Sequence, residues 1–431
     1  MSSTTPISPP EEVLRSAVLS LRNEHPTLGV AKLHALLLSE NSEWAVSEKR
    51  LRRIMTAEGL TLQRKAAPAA ESGAHAYPSS TLIEGLDVAK WTAAVEVKYF
   101  DKQRGKGLIT KEAILEGQVV WKEDPFIIAP EWDIYDLQVA SRACGYCTTP
   151  LTDSSLVLRC PASNSSAPCP ARFCHRLCLK RSEKTHPLLC PAQSPGSVPL
   201  LAFGRKHVWM ALHALTQCAA RLLLAQQAGD DVLRDDWRVY RALAELGMEE
   251  RAQGGWLQGA EPDRAMWQAA HRAFVQAFVL PPDPASQKKL AKLLKRPPLK
   301  DVADALFTYD GFLHGLGRMS LNLEAHGGLY TLHSHLNHSC RPNVSVRHLD
   351  QRTALSRITL VAKRDIAAGE ELLVTYVDPS LGVRKRRMQL GAWGFGECVC
   401  ERCIEEEKET SKPSSDVDDL ERELKAGLGV M

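Results

Sequence analysis

The sequence predicts an α+β chain: short strands in small sheets, interrupted by a cysteine module and a helical insert, and preceded by a separate helical domain. Three observations carry this. Apolar residues alternate in "AAVEVKYF" (93–100), and strand-like pieces return after residue 327. Residues 200–310 between them are apolar at helical spacing. Ten of the twelve cysteines fall in two short runs, 144–190 and 398–403, a pattern that points to metal.

The bulk numbers narrow the class. A length of 431 residues allows two to four domains. Apolar content of 44% with 24% charged residues suits a globular chain, and a net charge of +3 does not mark a nucleic-acid binder. No apolar run approaches the roughly 20 residues that span a membrane. The start, "MSSTTPISPPEEV", lacks the basic and apolar regions of a signal peptide. The expectation is a nuclear or cytosolic protein whose thiols are not paired.

Residues 11–65 read as a helical unit. "EEVLRSAVLSLRNEH" is amphipathic and Pro26 breaks it. "GVAKLHALLLSE" makes a second helix and "SEKRLRRIMTAEGL" a third, with Ser47 as N-cap. The third carries Lys49, Arg50, Arg52 and Arg53. Residues 66–89, rich in Ala, Ser, Pro and Gly, read as a linker. Strands are expected over 90–142, in "GKGLITKEAILEGQVVWKEDPFIIAP", and again over 311–380, in "GLYTL", "NVSVRHL" and "ALSRITLVAKRDI". The helical insert holds a basic run, "KKLAKLLKRPPLK" (288–300), and Cys218, which reads as a buried helical cysteine. The acidic end, 406–431, reads as a disordered stretch with a terminal helix.

The module at 143–191 offers Cys144, Cys147, Cys160, Cys169, Cys174, Cys178, His186 and Cys190, eight ligands within 47 residues. Zinc takes four thiolate or imidazole ligands, so eight supply two sites. A segment this short has too small a core to hold itself, so metal would supply much of its folding free energy. Free structural thiols and disulfides are the competing readings. "CVCERC" adds Cys398, Cys400 and Cys403, one ligand short of a set. Cys340, about sixty residues upstream, is the candidate fourth.

The order of ligands resembles a MYND zinc finger, which interleaves its pairs. That resemblance groups Cys144, Cys147, Cys174 and Cys178 in one site. It groups Cys160, Cys169, His186 and Cys190 in the other. The departure is "CPASNSSAPC", a longer second pair than the usual C-x2-C. His175, beside Cys174, is an alternative ligand.

Four motifs in order, "RGKGL" (104–108), "NHSCRPN" (337–343), "GEELLVTY" (369–376) and "CVCERC" (398–403), resemble SET-domain lysine methyltransferases with a post-SET zinc region at 381–405. The finger inside them resembles the SET-and-MYND family, and in particular the fungal SET-domain protein five group of histone-lysine methyltransferases. The likeness covers about 90–405. It implies a SET fold of small β-sheets with a pseudo-knot, an exception to the rule against threading.

By the same resemblance Asn337 and His338 bind S-adenosylmethionine. Gly105, Lys106 and Gly107 let backbone approach it closely, Phe395 packs on its adenine, and Asn322 is a further contact. Tyr376 is the catalytic tyrosine and a cofactor contact. It orients amine and methyl rather than acting as an established base. Its structural alternative is a strand tyrosine packed in the core. Trp393, in the substrate channel, replaces the Tyr of many relatives. Its indole can face a methylammonium but has no hydroxyl. Tyr330 reads as core or cofactor wall, and Pro342 with Asn343 as a turn. The implied cofactors are S-adenosylmethionine and three zinc ions. The implied partner is a histone tail, H4 among them, or a nucleosome, in the nucleus on chromatin and also in the cytoplasm. The N-terminal unit is similar to the helix-turn-helix region of some transposases, so its third helix is the candidate DNA contact. A catalytically silent chromatin adaptor and a methyltransferase of non-histone proteins are the competing functions.

Overall fold

The structure is a computed structural model. It describes residues 7–25, 30–57, 77–152, 154–253, 261–349 and 356–410. The chain divides into two compact units, Met1–Ala74 and His75–Met431.

The first unit holds α1 (Glu11–Glu24), α2 (Val30–Glu40) and α3 (Glu48–Ala57). Leu14, Val18 and Leu21 recur at helical spacing and bury against Leu33, Leu37, Leu51, Ile54 and Met55. Ser47 caps α3, its Oγ accepting from the Arg50 N–H at 3.2 Å. Arg50 also donates to Ser8 Oγ at 2.7 Å and to Pro9 O at 2.8 Å, and Arg53 pairs with Glu11 at 3.1 Å. Two of the four basic groups expected to face DNA are therefore engaged inside the unit. Residues 58–65 and the first part of the expected linker, 66–76, lie outside the described residues.

In the second unit β1 (Val95–Asp101) and β2 (Gly105–Thr110) form an antiparallel hairpin. A three-stranded sheet follows, β3 (Val119–Glu123) and β9 (Val344–Arg347) flanking β10 (Ile358–Ala362). Next, β4 (Ile127–Ile128) pairs with β7 (Gly328–Leu329), and β8 (Asn337–His338) runs parallel to β11 (Leu373–Val374). Leu108, Trp121, Leu332, Leu336, Ile358, Leu360 and Leu372 bury between these pieces. No strand exceeds seven residues among those described, so the sheets stay small.

After β4, α4 (Trp132–Val139) leads into the cysteine module, built from β5 (Leu158–Arg159), β6 (Arg172–Phe173), α5 (Arg176–Ser182) and α6 (His186–Leu189). The insert then packs α7 (Ser197–Lys206), α8 (Met210–Ala228), α9 (Asp230–Ala242), α10 (Met248–Gln253), α11 (Arg264–Phe278), α12 (Pro284–Leu293), α13 (Lys300–Phe307) and α14 (Tyr309–Asn322). The centre is α8, apolar on most faces; its Cys218 is buried against Met319.

Three boundaries differ from the sequence reading. The helical run extends to Asn322, past the expected end at 310. The helix packs closely there: a Cβ at Gly317 would collide with Leu246 O. The last part of the expected linker is pinned, because Ser79 exchanges backbone hydrogen bonds with Glu245 at 2.9 and 2.8 Å. After β11 come α15 (Val383–Ala392) and α16 (Glu401–Thr410). Glu406 and Glu407, expected in the tail, lie on α16 beside Glu405, and Glu405, Glu406 and Glu407 pair with Arg341, Arg386 and Arg387. Residues 411–431 lie outside the described residues.

Candidate functional site

Three distant motifs are sewn together by backbone. Ser339 N donates to Val374 O at 2.8 Å, Leu372 N to Leu108 O at 2.8 Å, and Thr110 N to Glu370 O at 2.9 Å. Asn343, 1% exposed, completes the seam. Its amide donates to Glu371 O at 2.8 Å and Glu370 Oε1 at 3.1 Å, and accepts from Leu373 N at 2.8 Å. A buried amide with donors and oxygen all satisfied fixes the turn that follows the Asn337–His338 strand.

Asn337 donates to Glu371 Oε1 at 2.9 Å, and Arg104 pairs with the same carboxylate. The Arg104 guanidinium stacks 4.0 Å from the Phe100 ring centre. A Cβ at position 107 would lie 2.9 Å from Glu371 Oε1 and 3.0 Å from Asn337 Nδ2, so only glycine lets these groups close. Gly105 has φ +64°, in the left-handed region, and opens β2.

Lys106 sends its side chain away from this cradle, donating from Nζ to Ala242 O at 2.7 Å. Burial holds its pKa down at about 7. Asn322 is likewise directed elsewhere. Its amide donates to Ala244 O at 2.8 Å and Arg318 O at 2.7 Å and accepts from Ala244 N at 3.1 Å, holding the segment after α9.

Tyr376 joins the cradle. Its N–H donates to His338 Nδ1 at 2.9 Å and its hydroxyl to Leu336 O at 2.6 Å. Its ring lies 5.3 Å from that of His338 and 5.2 Å from that of Phe395. Positive φ at Gly394 (+83°) and Gly396 (+69°) turns Phe395 back toward it. The residue is 40% exposed, with its hydroxyl turned inward onto Leu336 O. Desolvation, reinforced by the Glu324 and Glu371 carboxylates, pushes the phenol pKa well up, so at neutral pH it is a hydroxyl and not a phenolate. Trp393 lies at the edge, with the Arg251 guanidinium 5.8 Å from its ring. Tyr330, 1% exposed, is core; its hydroxyl donates to Ser356 O at 2.5 Å.

The thiols gather as three groups: Cys144, Cys147, Cys174 and Cys178; Cys160, Cys169, His186 and Cys190; and Cys340, Cys398, Cys400 and Cys403. Within each, the four ligand atoms lie within 4.8 Å of one another. A tetrahedral zinc with bonds of about 2.3 Å sets its sulfurs about 3.8 Å apart. The observed separations bracket that value: Cys147–Cys174 3.6 Å, Cys160–Cys190 3.8 Å and Cys340–Cys398 4.0 Å. The donor sets fit zinc. His175 lies outside the groups and caps α5, accepting from Cys178 N at 3.4 Å.

Three groups escaped the sequence reading. Arg104 is partner to Glu371. Arg386, fully buried, donates to Cys403 Sγ at 3.3 Å and Glu406 at 2.9 Å. Glu123, 2% exposed, accepts from Leu332 N at 2.8 Å and His333 N at 3.0 Å, and so braces the turn that leads into Asn337. Burial raises its pKa to about 7. The one signal for it was position: Trp121 and Glu123 share a face of β3.

A strand of "NH" laid parallel to the strand of "GEELLVTY", closed over a glycine loop and flanked by thiol sets, defines a SET-type site. The SET-domain family profile matches residues 105–377, more than half of the chain. The chain belongs to the SET-domain family. It is 31% identical over 414 residues to the histone-lysine N-methyltransferase SET5 of Yarrowia lipolytica, covering 92% of this chain and 82% of that protein. It is 27% identical over 441 residues to the SET5 of Mycosarcoma maydis, covering 94% and 85%. The solved SET domain of LSMT, bound to lysine and AdoHcy, aligns with TM-score 0.35 and 12% identity over 72% of this chain and 53% of that one.

Proposed function

We propose that this chain is an S-adenosylmethionine-dependent protein-lysine N-methyltransferase that acts on histones in the nucleus, with H4 as the tail to test first. The observation that carries the reading is the placement of Tyr376. Its hydroxyl hydrogen is committed to Leu336 O, one residue before Asn337. Its oxygen lone pairs are thereby left to receive an amine N–H or a polarised methyl C–H. Membership of the SET-domain family and relatives named histone-lysine N-methyltransferases, matched over 82% and 85% of their length, support it.

When bound, S-adenosylmethionine supplies a methyl group activated on a sulfonium. In this reading Asn337, His338 and the backbone of Gly105, Lys106 and Gly107 hold it, and Phe395 covers the adenine. Glu371 and Asn337 fix the floor. Tyr376 aligns a neutral lysine amine, and Trp393 walls its channel. Alignment is the main contribution, because in-line displacement needs little else. Asn322 acts here through Ala244. The module at 143–191 is MYND-like with two zinc sites. Cys340, Cys398, Cys400 and Cys403 hold a third. Histone binding falls to the second unit, with Arg50 and Arg53 of α3 already engaged.

The test is purified protein with labelled S-adenosylmethionine and each core histone, read by mass spectrometry. Methyl-lysine on a histone is expected. Label on no histone, from protein that binds the cofactor, would overturn the substrate class.

A further inference from the structure

A cavity of about 520 Å³ opens where β4, α4, the cysteine module and α8 meet. Asn337, His338, Tyr376, Trp393 and Phe395 are not among its lining residues, so the transfer proposed above leaves it unused. Its volume falls in the range of small-molecule sites, which are apolar with a few convergent polar groups. The apolar part is aromatic: Phe126 from β4, Tyr135 from α4 and Tyr146 from the module.

The polar part is biased to one sign. Arg221 stacks 3.9 Å from the Phe126 ring and is held by Asp236 at 2.6 and 2.8 Å. Gln217, one turn earlier, lies on the same face of α8. Lys184 stands exposed at the rim. The cavity's carboxylate, Asp124, is already engaged by Arg181 at 3.2 Å and Arg357 at 2.8 Å. Among the described residues no carboxylate pairs with Lys184, and no group hydrogen-bonds the Gln217 amide or the Tyr146 hydroxyl. A partly open aromatic cavity with open donors and surplus positive charge favours a ligand with an apolar body and an anionic end.

We propose that this cavity binds a small amphiphilic anion, a carboxylate on an aromatic or branched apolar body. The body sits among Phe126, Tyr135 and Tyr146, and the carboxylate lies between Lys184 and the Gln217 amide. The walls come from both the module and the strand β4, so an occupant ties the two together.

The probes are 1-anilinonaphthalene-8-sulfonate and its uncharged counterpart N-phenyl-1-naphthylamine, added to the full metal-loaded chain. The anion should saturate at about one per folded chain, as a single cavity requires. Lys184→Glu should weaken the anion about tenfold and the neutral probe less than about twofold, the signature of a charge contact. Lys184→Met, which keeps the stem, serves if the first variant loses metal. Val198→Trp, substituted on the lining, should block both probes and leave methyl transfer intact. Non-saturable binding would overturn the proposal. So would equal loss of both probes at position 184, or binding that survives Val198→Trp. Displacement by a histone peptide would reassign the cavity to the protein substrate and likewise end it. A missing methyltransferase activity would not touch it, because the readout is binding.

Discussion

The backbone N–H of Tyr376 donates to Nδ1 of His338 at 2.9 Å, while Nε2 of the same ring lies 3.3 Å from Sγ of Cys340. A backbone N–H only donates, so Nδ1 must accept and the ring proton sits on Nε2, facing the sulfur. One neutral imidazole therefore ties the tyrosine to a thiol of the third ligand group. Metal on Cys340 strengthens the link, because a thiolate accepts better than a thiol.

Cys340→Ser should thus act at two places. One metal ion is lost, and cofactor affinity falls by about tenfold, the usual scale for removing an orienting partner near a metal. Metal analysis and calorimetric titration with S-adenosylhomocysteine check it. Wild-type affinity in the folded variant would sink the linkage.

Arg386 is buried beside Cys403 and Glu406. Four thiolates around one Zn²⁺ carry a net charge of −2, and a buried guanidinium offsets part of it. Arg386→Leu should let a chelator strip that site about ten- to a hundredfold more readily. The untouched wild type should hold about three zinc ions per chain by ligand count. A reproducible value of two or fewer refutes one group. Equal chelation kinetics in the variant would show the arginine to be mere packing.

Ligand spacing was readable because a metal site is written in a short alphabet: Cys and His at fixed local offsets. The structure assembles the same three sets that the spacing and the resemblance grouped. The motif-bearing residues Gly107, Asn337, His338, Tyr376 and Phe395 also meet. Side-chain direction was not readable. Whether Lys106 faces the cradle or Ala242, and whether Asn322 faces the cofactor or Ala244, depends on the insert's packing more than 75 residues away in sequence. Buried Glu123 and Arg386 were invisible for a related reason. A charged residue reads as exposed until its partners, here backbone N–H groups and thiols, are known.

Lys106 gives a pH signature. Its folded pKa is depressed to about 7 from 10.5 by burial. Between these values the unfolded chain holds a proton that the folded chain lacks, so stability rises with pH, by up to about 1.4 kcal/mol per pH unit. Below that window both states are protonated and the penalty is constant. Lys106→Met should remove this rise while losing the bond to Ala242 O. Urea midpoints from about pH 7.5 to about pH 9.5 should climb more steeply in wild type than in the variant. Parallel curves would mean that the ammonium is not desolvated.

Tyr376→Phe separates alignment from architecture. The ring and its contacts with His338 and Phe395 stay, and the bond from the hydroxyl to Leu336 O goes. A lost hydrogen bond costs about 1 kcal/mol of stability. If that were the tyrosine's whole role, methyl transfer per folded molecule would be near normal. If its oxygen aligns the amine, turnover drops by roughly ten- to a thousandfold, about 1.4 to 4 kcal/mol of barrier. Cofactor affinity should change far less, since Asn337, Glu371 and Gly107 are untouched and His338 keeps its backbone donor from residue 376. The deciding measurement is turnover against cofactor affinity in one folded preparation, on a substrate that wild type methylates. Near-normal turnover would remove Tyr376 from the catalytic role. A matching loss of affinity would recast it as a wall of the cofactor site.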